Sequence, residues 1–162
     1  MVMKIARRAF SLAFLSVALG GVMASVITPV AAQSRTGGTV NQMIAGMGLK
    51  GYDPVSYFSD HKPAKGATDI TTDWGGATWH FVSKEHRDAF AKNPERYAPQ
   101  YGGFCAWGVA HGKLFDVDPE HGWAVVNNKL YVNLNADILT AWRKEQRKFI
   151  KDADANWPKL NQ

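Results

Sequence analysis

The chain has 162 residues, a formal net charge of +5 and one cysteine, Cys105. A single cysteine excludes an intrachain disulfide framework, so stability has to come from a packed core. The basic excess is no argument for nucleic-acid binding, because three of the cations, Lys4, Arg7 and Arg8, stand in the first eight residues.

From Ala9 to Gln33 there is no charge at all, and Pro29-Val30-Ala31-Ala32-Gln33 makes a small-residue exit. A basic start, an apolar middle and such an exit describe a secretory signal peptide over 1–32, cut after Ala32 with Ala24 as the alternative site. The uncharged stretch has the length of a membrane span. Gly20-Gly21, Ser25, Thr28 and Pro29 dilute it, so the expectation is cleavage, no stable membrane insertion and a periplasmic or secreted product. Arg7-Arg8-Ala9-Phe10 also fits a twin-arginine signal, which exports folded proteins. Removing 1–32 takes away three cations and no anion, so +5 becomes +2.

Residues 33–50 read as a flexible leader, glycine-rich at first, with Met43 and Met47 a soft-donor pair between glycines. Asp53-Pro54 signals a turn, and Val55, Tyr57 and Phe58 suit a short strand or one helical turn. Two β-rich runs, Ile70 to Trp74 and Ala77 to Val82, flank Gly75-Gly76, a hairpin signal. Ser83 is placed to cap a helix through Lys92, and Asn93-Pro94 to cap and start a second. The segment from Tyr101 to Gly112 reads equally as a buried helix or as tight turns. Trp123 to Val126 and Lys129 to Leu134 flank Asn127-Asn128 as a second hairpin. Asn135 then caps a final amphipathic helix, about Ala136 to Ala153, with Ile138, Trp142, Phe149 and Ala153 on one stripe. Trp157-Pro158 is expected to end the domain. The fold class is α+β: one small domain with two β-hairpins, short capped helices and a C-terminal amphipathic helix.

Asp53-Pro54-Val55, Trp79-His80-Phe81-Val82-Ser83, Phe90 and Asn93-Pro94-Glu95-Arg96-Tyr97 follow one another as in the YHS domain family, which this stretch resembles. The resemblance implies one YHS-like domain over 51–160, in which the part after Cys105 is the extension found in exported stand-alone members. It also implies a metal-associated module whose suspected ligands are two cysteines, just after Asp-Pro-Val and just before the capping serine. Ser56 and Val82 stand at those positions, so that ligand pair does not carry over.

The remaining soft donors are Cys105 and five histidines, and Cys105, His111 and His80 are the candidate set for copper or zinc. His86, on a charged helix face, reads as solvated. Tyr52 and Asp53, with Phe104 and Trp107, are the candidate ligand-binding residues. Two functions follow. One is a periplasmic binding module that handles a transition metal such as copper, with a metal ion or a periplasmic protein as partner. The alternative is a structural or protein/small-ligand interaction domain that has lost the family's cysteines. A thiol enzyme using Cys105, His111 and Asp116 or Asp118 ranks third, and the expectation is no enzymatic activity.

Overall fold

The computed structural model describes residues 40–42 and 46–162. The expected signal peptide, its twin arginines, Met43 and residues 33–39 of the leader lie outside them. No helix among the described residues is long and apolar enough to cross a membrane.

The described part of segment 33–50 corrects the expectation of a flexible leader. Val40, Asn41 and Leu49 are buried, and the Asn41 N–H donates to Gly102 O at 2.8 Å. Residues 48–51 make a 3₁₀ turn with Leu49 and Lys50 in left-handed backbone. Lys50 Nζ reaches Val117 O at 2.7 Å and Asp116 Oδ2 at 2.6 Å, which pins the turn to the second half of the chain. Leu49, which the neighbouring glycine keeps out of a helix, is thus placed in the core.

After the Asp53-Pro54 turn comes one helical turn, α1 (Ser56–Ser59), so the local choice between strand and helix falls to helix. Strands β1 (Ala67–Trp74) and β2 (Ala77–Phe81) form the expected antiparallel hairpin. Gly75 and Gly76 have φ of 61° and 81°, the mirror-image turn that suits the strand twist. A register shift between Ala67 and Thr71 bends β1 across β2. There the backbone of Gly66 runs so close that a Cβ would fall 2.3 Å from the His80 carbonyl carbon.

Ser83 caps α2 (Lys84–Lys92) as expected, its side chain accepting from the His86 N–H. Pro94 starts α3 (Pro94–Tyr97), but the Asn93 side chain makes no cap bond, because Pro94 already supplies the start geometry. The ambiguous Tyr101–Gly112 segment resolves into a 3₁₀ turn at Gln100–Gly103 and a short helix, α4 (Ala106–Ala110). Strands β3 (Trp123–Val126) and β4 (Lys129–Val132) pair around Asn127-Asn128, both at positive φ. The final helix is two: α5 (Ala136–Lys144), capped by Asn135, and α6 (Gln146–Leu160), separated where Glu145 leaves helical geometry. α6 continues through Pro158, so the expected stop at Trp157-Pro158 is corrected. Pro158 lies in the last turn, where the helix absorbs a lost donor.

Two apolar clusters result. The first holds Leu49, Val55, Tyr57, Trp79, Phe81, Phe90, Cys105, Leu130 and Val132. Its centre is Phe90 of α2, with Trp79, Phe81 and Trp74 rings at 5.2, 5.3 and 5.9 Å. The second gathers Tyr101, Phe104, Val109, Ala124, Tyr131, Leu139, Trp142 and Ala153. Strand alternation sends Leu130 and Val132 into one cluster and Tyr131 into the other, so β4 is buried on both faces. The α+β reading holds.

Replacing Gly66 by alanine puts a methyl group into the β2 backbone, which cannot give way as a side-chain tip can. Gly66→Ala should lower unfolding stability by about 1–3 kcal/mol, read as a fall in urea midpoint at unchanged m-value.

Candidate functional site

Asp53 has no exposure to solvent, yet it carries a carboxylate. Its Oδ1 accepts the Val55 N–H at 2.8 Å, closing the turn that launches α1. Its Oδ2 accepts the Val82 N–H at 2.9 Å and His86 Nδ1 at 2.7 Å. Backbone at two chain positions and one imidazole thus converge on a single buried acid. On the other side of the ring, His86 Nε2 lies 3.2 Å from Ser59 Oγ at the end of α1. His86 is therefore not the solvated helix residue the charge pattern suggested. The Ser83 cap orients the first turn of α2 and points its third residue, His86, at Asp53.

Position 56, where the resemblance places one cysteine, holds a buried serine that donates to Asp53 O at 2.8 Å. Position 82, the other, presents an exposed valine. Both positions border the Asp53–His86–Ser59 hydrogen-bond chain, Ser56 through Asp53 O and Val82 through its own N–H.

The proposed metal set does not assemble. Cys105 is fully buried just before α4, with its thiol 3.8 Å from Asn133 Oδ1. Burial raises its pKa, against opposing hydrogen bonds from the backbone of Gly108, Leu134 and Trp107. His111 ends α4 on the surface, its Nδ1 against Trp107 O at 2.7 Å and its ring on the Trp107 indole at 4.0 Å. His80 belongs to the β1–β2 hairpin, with Nδ1 3.2 Å from Ala67 O. Among the described residues no group of three or more His, Cys, Asp or Glu side chains is arranged to hold a metal ion. Cys105, His111 and His80 are therefore corrected as a joint metal site among the described residues. The sequence reading failed because the donors are sealed in or turned apart by elements that residue spacing does not report.

The candidate ligand residues are also distributed rather than joined. Tyr52 lies half-buried, its hydroxyl donating to Glu120 at 2.9 Å under the Lys65 ammonium. Phe104 packs in the second cluster against Trp157, and Trp107 backs His111. Only Asp53 enters the hydrogen-bond chain.

A concave surface does exist elsewhere. Two adjoining hollows of about 200 and 280 Å³ run between the end of the β1–β2 hairpin, α3 and α6. Trp74, Ala98, Pro99 and Trp157 line both, Tyr101 lines the second, and the carboxylates of Glu95 and Asp154 sit along the groove. Tyr101 adopts φ of 55°, and its hydroxyl donates to Asp154 Oδ1 at 2.9 Å. Burial and then the Asp154 bond push its pKa well above the ordinary phenol range, so it serves as a neutral donor. Sequence reasoning missed the groove because Trp74 and Trp157 lie far apart in the chain and each alone reads as core.

Residues 55–101 match the family model of the YHS domain. No curated protein and no solved structure matches the chain.

A sealed thiol with a raised pKa is a poor nucleophile. Native protein should therefore resist iodoacetamide at neutral pH, with full alkylation of Cys105 appearing only in denaturant; intact mass reads the difference.

Proposed function

With a YHS domain over residues 55–101 as the premise, we propose that this protein is an exported, non-metal binding module that takes a small organic cation with an apolar body. One observation carries the reading: the groove sets Trp74 and Trp157 beside the carboxylates of Glu95 and Asp154. Indole faces attract a cation through their negative quadrupole, and desolvation in a cleft strengthens the attraction. Apolar walls with a few placed polar groups are the usual composition of a small-ligand site. The failure of Cys105, His111 and His80 to converge, with Ser56 and Val82 at the family's cysteine positions, favours this over metal handling.

Export rests on the basic N-terminus, the uncharged stretch and the small-residue exit at Ala32. N-terminal sequencing of protein from the envelope fraction should read Gln-Ser-Arg from Gln33. Intact Met1 in that fraction would refute cleavage.

For the groove, benzyltrimethylammonium should quench tryptophan fluorescence saturably, and its neutral isostere neopentylbenzene should bind about tenfold more weakly. Trp157→Ala should abolish the difference. Equal binding of the two probes would remove the cation from the proposal, and Zn(II) or Cu(I) raising the melting temperature would restore the metal reading.

A further inference from the structure

We propose that Ser59 is the nucleophile of an acyl-transfer site, with His86 as its general base and Asp53 holding the imidazole. The argument stands on a connected geometry. Ser59 Oγ lies 3.2 Å from His86 Nε2, and His86 Nδ1 lies 2.7 Å from Asp53 Oδ2. A carboxylate only accepts, so Nδ1 is the donor to Asp53, and in the neutral form of His86 the lone pair of Nε2 faces the serine. Asp53 cannot drift from this position, because the Val55 and Val82 N–H groups hold its two oxygens. Nucleophile, base and orienting acid in this relation recur in serine acyl-transfer enzymes of unrelated fold and chain order.

Access follows the same geometry. Asp53 is fully buried, His86 shows 17% of its side chain, and Ser59 is exposed. The chain of groups therefore runs from the protein interior to solvent and ends on the atom that would attack. The Ser59 hydroxyl has a second acceptor, Val55 O at 3.2 Å. The hydroxyl has to turn from that carbonyl to give its proton to His86, and a loose serine–histidine contact of this length is common in ligand-free sites.

The open position of Ser59 suits an unhindered ester. Ser59 Oγ bonds to the ester carbonyl carbon while its proton passes to His86 Nε2. That nitrogen protonates the departing alkoxide as the ester C–O bond breaks, leaving acyl-Ser59 and a free alcohol. Water, giving its proton to the same nitrogen, then releases the carboxylic acid and restores the hydroxyl.

The test uses the full chain with a fluorophosphonate probe, read by intact mass and peptide mapping, and p-nitrophenyl acetate for turnover. Wild-type protein should take one label, on Ser59, faster than denatured protein does. Ser59→Ala, a surface change, should keep its melting temperature and lose both label and turnover. His86→Gln, where circular dichroism shows it folded, should label about 100-fold more slowly. No label on the wild type, a label on another residue, or a folded His86→Gln that labels at the wild-type rate would overturn the proposal.

Discussion

A carboxylate removed from water is tolerated only where hydrogen bonds or an opposite charge replace its hydration, and Asp53 meets that condition with three donors from separate parts of the chain. Satisfying the acid fixes the Asp53-Pro54 turn and the direction of α1. It fixes where β2 ends, through Val82, and how the first turn of α2 is seated, through His86. Phe90, one and a bit turns further along α2, is thereby delivered to the centre of the first apolar cluster, among Trp74, Trp79 and Phe81. Aromatic pairs at these separations add about 0.5–1.5 kcal/mol each beyond their buried area. The polar hub and the aromatic centre are thus two ends of one short helix.

The second constraint is the double burial of β4. Leu130 and Val132 complete the cluster built by the YHS residues, while Tyr131 opens the cluster under α4, α5 and α6. Tyr57 of α1 donates to Pro119 O at 2.7 Å and meets Trp123 edge-on at 5.1 Å. Asn156 of α6 donates to Val109 O and Ala110 O, satisfying carbonyls that end α4. The C-terminal extension is therefore part of the same fold, and it supplies one wall of the aromatic groove.

The two proposed sites divide the chemistry between them. The groove offers area, aromatic faces and negative charge, the means of binding. The Asp53–His86–Ser59 chain offers a held imidazole and an exposed hydroxyl, the means of reacting. Cys105, the residue chemically most conspicuous in the sequence, contributes volume to the first cluster and closes its N–H onto Phe115 O at 3.1 Å. A lone cysteine among Phe104, Ala106 and Trp107 packs as a small apolar side chain once it is enclosed.

By itself the sequence determined what depends on neighbours in the chain. Both hairpin turns, the Ser83 and Asn135 caps and Pro94 at a helix start were legible because each is set within a few residues by φ preference or by an i to i+3 bond. The α+β class and the family resemblance followed from their order. The single stripe from Ile138 to Ala153 was not legible, since the helix breaks at Glu145 and Ile138 packs on the first cluster while Trp142, Phe149 and Ala153 pack on the second. Tertiary structure alone decided the break at Glu145, the docking of Leu49 and the sealing of Cys105. It also decided both candidate sites. His86 and Asp53 are 33 residues apart and Ser59 and His86 are 27 apart, and a capped helix with a histidine on its charged face looks the same whether or not a buried acid waits beneath it. Local patterns report which conformation a segment takes. Which distant atoms then share one point in space depends on how every element packs at once.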